Sequence, residues 1–92
     1  MSIAETIRAR LAALEPNALE LVDESEMHRG HAGYRKGGGT HWRLTIVSPR
    51  FAGQPTVARH RMVYQALGSL MPDPIHALAI TARSPDETKG KQ

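Results

Sequence analysis

The chain has no cysteine. That excludes disulfides, thiol catalysis, cysteine-ligated zinc fingers and any iron–sulfur site built from its own thiolates. Aromatic residues are scarce: Tyr34, Trp42, Phe51 and Tyr64 are the only ones in 92 residues, which is little material for a base-stacking platform. No apolar run approaches the roughly 18–20 residues a membrane helix requires. Glu5, Arg8 and Arg10 interrupt the N-terminal segment, so it lacks the apolar stretch of a secretory signal. The expectation is a soluble, cytoplasmic chain with no membrane association.

What is present is ordinary globular composition, 40% hydrophobic and 23% charged, which argues against disorder. The length suits one domain, residues 1–92, with a small core. Twelve Lys and Arg against nine Asp and Glu give a formal charge of +3, which permits nucleic-acid contact without requiring it.

Hydrophobic periodicity divides the chain. Ile3, Ile7, Leu11 and Leu14 recur at helical spacing over 2–15, and Ser2 with Glu5 forms a capping-box pattern. Leu19 and Leu21 alternate with Glu20 in a predicted strand over 18–23. Residues 25–40 follow with five glycines, His28 and His31, and no sustained period, which reads as a flexible loop. Trp42, Leu44 and Ile46 mark a second strand over 41–48. A second helix over 56–71, capped by Thr56, buries Val63, Ala66, Leu67 and Leu70. Pro72 and Pro74 end it. A third strand over 75–82 places His76, Leu78 and Ile80 on one face. Ser84-Pro85-Asp86-Glu87 starts a short last helix, with a frayed tail from about 88 to 92. The expected fold is α+β, a small three-stranded sheet with helices on one face. The first two strands would pair antiparallel, and the second and third would run parallel through a helical crossover.

Five histidines without a cysteine invite a metal or pH-sensitive role. Each also has an ordinary reading. His76 fits a hydrogen-bonded residue at a sheet end. His60 fits a core or boundary residue. His28 and His31 fit a solvated loop, and alternation places His41 on the exposed face. Arg59-His60-Arg61 on a helix could meet phosphate or carboxylate, or could be a solvated basic edge. The serines lack a nucleophile-elbow context, and Gly37–Gly39 matches no phosphate-loop spacing. No enzymatic activity of its own is expected.

The residues become specific when taken in order. Asp23-Glu24-Ser25, His28, Thr40-His41-Trp42, Val47-Ser48, Phe51 and Gly53, Arg59-His60-Arg61 with Val63-Tyr64, and Ile75-His76-Ala77-Leu78 together resemble the BolA family. The resemblance spans about Leu19 to Pro85. Trp42 stands where phenylalanine is commoner, and the tail lacks the tryptophan that members often carry. The resemblance implies an α+β fold similar to the class II KH domain. It implies a partner, a monothiol glutaredoxin, and a role in iron–sulfur handling and iron homeostasis. It further implies a [2Fe-2S] cluster shared with that partner, which supplies its own thiolate and that of glutathione. This chain would supply His76 and a loop histidine, His28, with His31 as the alternative, and would bind no cluster alone. Bacterial members are also described as transcriptional regulators linked to morphology and stress. DNA is therefore the alternative partner, contacted through Arg43, Arg59 and Arg61, and a homodimer stays open.

Overall fold

The computed structural model describes residues 2–25 and 40–89. The order is α1 (Ile3–Leu11), β1 (Ala18–Asp23), β2 (His41–Val47), α2 (Thr56–Leu67), β3 (Ala77–Arg83) and α3 (Pro85–Lys89). Single 3-10 turns extend α1 through Leu14 and α2 through Leu70, and another spans Pro49–Phe51. The predicted glycine-rich loop and the last three residues of the tail lie outside the described residues. Residues 88 and 89, expected to fray, continue α3, and the Thr88 hydroxyl donates to the Pro85 carbonyl at 2.7 Å.

The sheet order is β1-β2-β3. β1 pairs with β2 antiparallel, Leu19 opposite Ile46 and Leu21 opposite Leu44. β2 pairs with β3 in parallel, Trp42 opposite Leu78 and Leu44 opposite Ile80. Both pairings agree with the sequence reading. Because side chains alternate along a strand, these residues share one face. Against that face pack Ile7 and Leu11 of α1 and Val63 and Leu67 of α2, all fully buried. The opposite face carries Glu20, Arg43, Ala79 and Thr81, all exposed. The described residues therefore form two layers around one core, an α+β arrangement.

Local chemistry explains where the elements begin and stop. The Ser2–Glu5 box forms in both directions: Glu5 N–H donates to Ser2 Oγ at 3.1 Å, and Ser2 N–H to Glu5 Oε1 at 2.9 Å. α2 closes at Gly68, whose φ of 58° suits glycine. There Arg10 reaches across from α1 and donates from Nη1 to the Leu67 carbonyl at 2.9 Å, occupying an acceptor the helix end leaves open.

Three expectations are corrected. Thr56 does not cap α2: Pro55 holds the cap position, without a side-chain cap bond. α2 ends at Leu67 rather than 71, because Gly68 leaves the helical region. β3 starts at Ala77, so His76 precedes the strand and is exposed instead of joining the face of Leu78 and Ile80. The connector after β2 also contributes to the core. Phe51 is fully buried, as is Ile75 before β3. Ser48 sets this corner: its hydroxyl donates to the Leu14 carbonyl and accepts from Arg50 N–H at 3.1 Å.

Candidate functional site

Asp23 ends β1, and Ser25 lies two residues beyond. Asp23 Oδ1 accepts from Ser25 N–H at 2.9 Å and from the Ser25 hydroxyl at 2.6 Å, a turn that aspartate favours. With its proton committed, Ser25 Oγ acts as an acceptor. It receives Thr40 N–H at 3.0 Å and His41 N–H at 3.2 Å. Glu24 N–H donates to the His41 carbonyl at 2.8 Å. Ser25 and Thr40 are 1% and 0% exposed, so these bonds are shielded from water. The two residues flanking 26–39 are thereby fastened to each other.

Thr40 carries the fastening to the third strand. Its carbonyl accepts from His76 N–H at 2.8 Å and from Ala77 N–H at 3.2 Å. A single residue therefore ties Ser25 and Thr40, the residues flanking 26–39, to the backbone of His76. The His76 side chain is exposed at this end of the sheet. We call the Asp23, Ser25 and Thr40 contacts the clasp.

His41 corrects an expectation. Alternation suggested exposure, yet it is only 7% exposed. It begins β2 within the clasp, where Thr40 Oγ1 lies 2.9 Å from its Nδ1 and the small Ala77 stands opposite in the sheet. Periodicity reports which face a residue occupies, and the end of a strand is also covered by the chain around it. His60 lies at the boundary, half-buried on α2. Among the described residues no three His, Cys, Asp or Glu side chains gather as a metal site. His28 and His31 lie outside the described residues.

The three arginines do not share one surface. Arg43 projects from the open sheet face, and its Nε donates to Glu24 Oε2 at 2.6 Å. That contact raises the arginine's pKa. Arg61 is exposed on α2, in the other layer. Arg59 is 9% exposed and committed to the fold. It donates from Nε to the Gln54 carbonyl at 2.7 Å and from Nη1 to the Ala82 carbonyl at 2.9 Å. Nη1 and Nη2 also grip Glu87 Oε1 and Oε2 at 2.6 and 2.7 Å, a forked pair. Arg59 is therefore not an accessible phosphate contact or a solvated edge; of the partners the sequence allowed it takes a carboxylate, that of Glu87. The helix-start pattern at Ser84 signalled Glu87, whose Oε1 also accepts Ser84 N–H at 2.9 Å. Its pairing with a residue 28 positions away left no local signal.

This pair sets one pH dependence. The Arg59 guanidinium first, and then Ser84 N–H, lower the Glu87 pKa from 4.5 to about 2. A carboxylate held below its unfolded value stabilises the fold fully above about pH 4.5, and that contribution fades as pH falls toward 2. Glu87→Gln is expected to lower stability at pH 7 and to flatten its fall between those values, as read by urea unfolding across the range.

A family model described as BolA-like protein matches residues 11–87. This chain belongs to the BolA family. BolA-like protein 1 of Mus musculus is 44% identical over 84 residues, covering 90% of this chain and 58% of that protein. The chain thus spans a little over half the length of that relative. The DNA-binding transcriptional regulator BolA of Escherichia coli (strain K12) is 39% identical, covering 100% of this chain and 85% of the other. The solved BolA domain of SufE1 from Arabidopsis thaliana superposes with a TM-score of 0.82 at 40% identity, covering 95% and 96% of the two chains. This BolA chain shares the α+β fold of that domain, and its clasp residues Asp23, Ser25 and Thr40 fall inside the family match.

Proposed function

We propose that this BolA chain is an adaptor for a monothiol glutaredoxin and shares a [2Fe-2S] cluster with it in iron–sulfur and iron homeostasis. The observation that carries the reading is the clasp. Ser25 and Thr40 are joined, and the Thr40 carbonyl holds the backbone of His76. Three extended residues reach about 10 Å, so His28 starts from a root fixed beside His76. His31 is the alternative from the same loop.

The donor set fits such a group. A chain without cysteine cannot complete a cluster site by itself, but two imidazoles can complete one begun by two outside thiolates. His76 would be the anchored ligand, since its backbone is bonded to the sheet. His28, or His31 in its place, would be the second ligand. When bound, the cluster would supply one-electron chemistry at a potential raised by histidine ligation. The chain's own part is to present imidazole nitrogens, which must be unprotonated to bind iron. No catalytic step is assigned to the chain.

Co-expression with a monothiol glutaredoxin in the presence of glutathione tests this reading. The expected result is a coloured complex that elutes as one species, with a visible spectrum distinct from that of the glutaredoxin alone. Co-elution without colour, or no co-elution, would contradict it.

The name of the Escherichia coli relative supports a second reading, a DNA-binding regulator. Arg43 and Arg61 would carry it, and Arg59 would not, because Glu87 and two carbonyls hold it. DNA affinity falling steeply with salt, weakened by Arg61→Ala, would favour this reading.

A further inference from the structure

β3 is an edge strand among the described residues, paired only with β2. Its polarity follows from two bonds. Ala77 N–H donates to the Thr40 carbonyl, and the Arg83 carbonyl accepts from Ser48 N–H at 2.9 Å. Odd-numbered residues therefore turn their backbone groups toward β2. Leu78, Ile80 and Ala82 turn theirs outward. Arg59 Nη1 takes the outward carbonyl of Ala82. The N–H and C=O groups of Leu78 and Ile80 remain as a ladder for an added strand, with no charged side chain from Ala77 to Ala82.

A groove of about 640 Å³ runs beside this edge, lined by Thr56, Arg59 and His60 of α2, by Ile80–Arg83 and by Glu87. Val57, His60 and Tyr64 lie three and four residues apart, so they form one stripe along the helix. Val57 and Tyr64 are 62% and 41% exposed, two of the three large apolar side chains that the described residues leave in water. The groove thus has the Ile80 end of the backbone ladder on one side and Thr56, Arg59 and His60 on the other, with Val57 and Tyr64 beyond it on the helix stripe of His60. Arg59 and Arg83 against Glu87 leave a net positive charge, before the neighbouring Arg61 is counted.

We propose that this groove takes an extended, acidic segment of a partner protein, added as a strand to β3. Main-chain bonds to Leu78 and Ile80 supply the pairing, alternate apolar side chains lie on Val57 and Tyr64, and acidic side chains meet Arg83 and His60. A second copy of the chain fits less well, because two-fold pairing would bring the same cationic walls together. Nucleic acid also fits less well, since Tyr64 is the one aromatic residue on the helix stripe. Only the charged end of this surface is remote from the cluster reading: seven strand residues, about 20 Å, divide Arg83 from His76, while Leu78 is two residues from it.

The test uses a short fluorescein-labelled peptide alternating valine with glutamate, its counterpart alternating valine with lysine, and a single-stranded oligodeoxynucleotide. Binding is read by fluorescence anisotropy, and amide exchange by NMR on the full chain. The acidic peptide is expected to bind and to slow exchange at Leu78 and Ile80. Arg83→Glu should weaken it about tenfold, a loss near 1.4 kcal/mol. Ile80→Pro should abolish it by deleting an outward N–H that β2 does not use. If that variant fails to fold, Arg83→Glu and His60→Glu decide. The assay contains no glutaredoxin and no cluster, which separates this proposal from the cluster reading. Equal binding of the lysine peptide, slowed exchange with the oligonucleotide alone, or slowed exchange that grows with protein concentration alone would each overturn it.

Discussion

Ser25→Ala is expected to lower stability by about 2–4 kcal/mol and to loosen the loop roots together. The hydroxyl oxygen is the shared acceptor for Thr40 and His41 N–H, and alanine leaves both donors without it. An unsatisfied buried donor costs about 1–3 kcal/mol, and two neighbours relax partly in concert. Asp23 also loses the shorter of its two bonds from Ser25. Urea unfolding gives the stability change. Amide exchange at Thr40, His41 and His76 gives its location, because Thr40 passes the restraint to His76. A stable variant with fast exchange confined to these amides would still support the clasp. Unchanged exchange at all three would contradict it.

Phe51→Ala is expected to cost about 3–5 kcal/mol, the range for emptying a buried aromatic site. Phe51 is fully buried and belongs to a segment that contributes no strand or long helix. Its backbone is pinned, with Phe51 N–H donating to the Ser48 carbonyl at 3.1 Å and its own carbonyl accepting from Gln54 N–H at 3.0 Å. The surroundings therefore collapse poorly into the cavity. A domain of this length has roughly 5–14 kcal/mol in total, so the variant should unfold at a much lower urea concentration with its m-value retained. A loss below about 1 kcal/mol would show that Phe51 is not a member of the core.

These two sites also mark where the sequence was silent. α1, β1, β2 and both strand pairings were legible because Ile7 and Leu11, Leu19 and Leu21, or Trp42, Leu44 and Ile46 repeat at the period of their element. Phe51 belongs to no period, and nothing beside it in the chain announces its burial. For Arg59 the sequence allowed a carboxylate partner but could not name it, because Glu87 arrives from a different element. In the candidate site, the ordered motifs contain Asp23, Ser25, Thr40 and His76 but give no sign of the bonds among them. His76 stood out as a possible ligand. That Ser25 and Thr40 are the fasteners follows only from bonds across 15 residues of chain. Small hydroxyl residues carry no hydropathy signal, so long-range acceptors of this kind become visible only in the fold.

The most direct measurement is visible circular dichroism of the complex with a monothiol glutaredoxin and glutathione, for the wild-type chain and for His76→Ala, His28→Ala and His31→Ala. The cluster transitions should change sharply for His76→Ala and for one of the two loop variants, which would identify the loop ligand. The other loop variant should match the wild type. Unchanged spectra in all three variants would contradict shared histidine ligation and favour the DNA-binding reading.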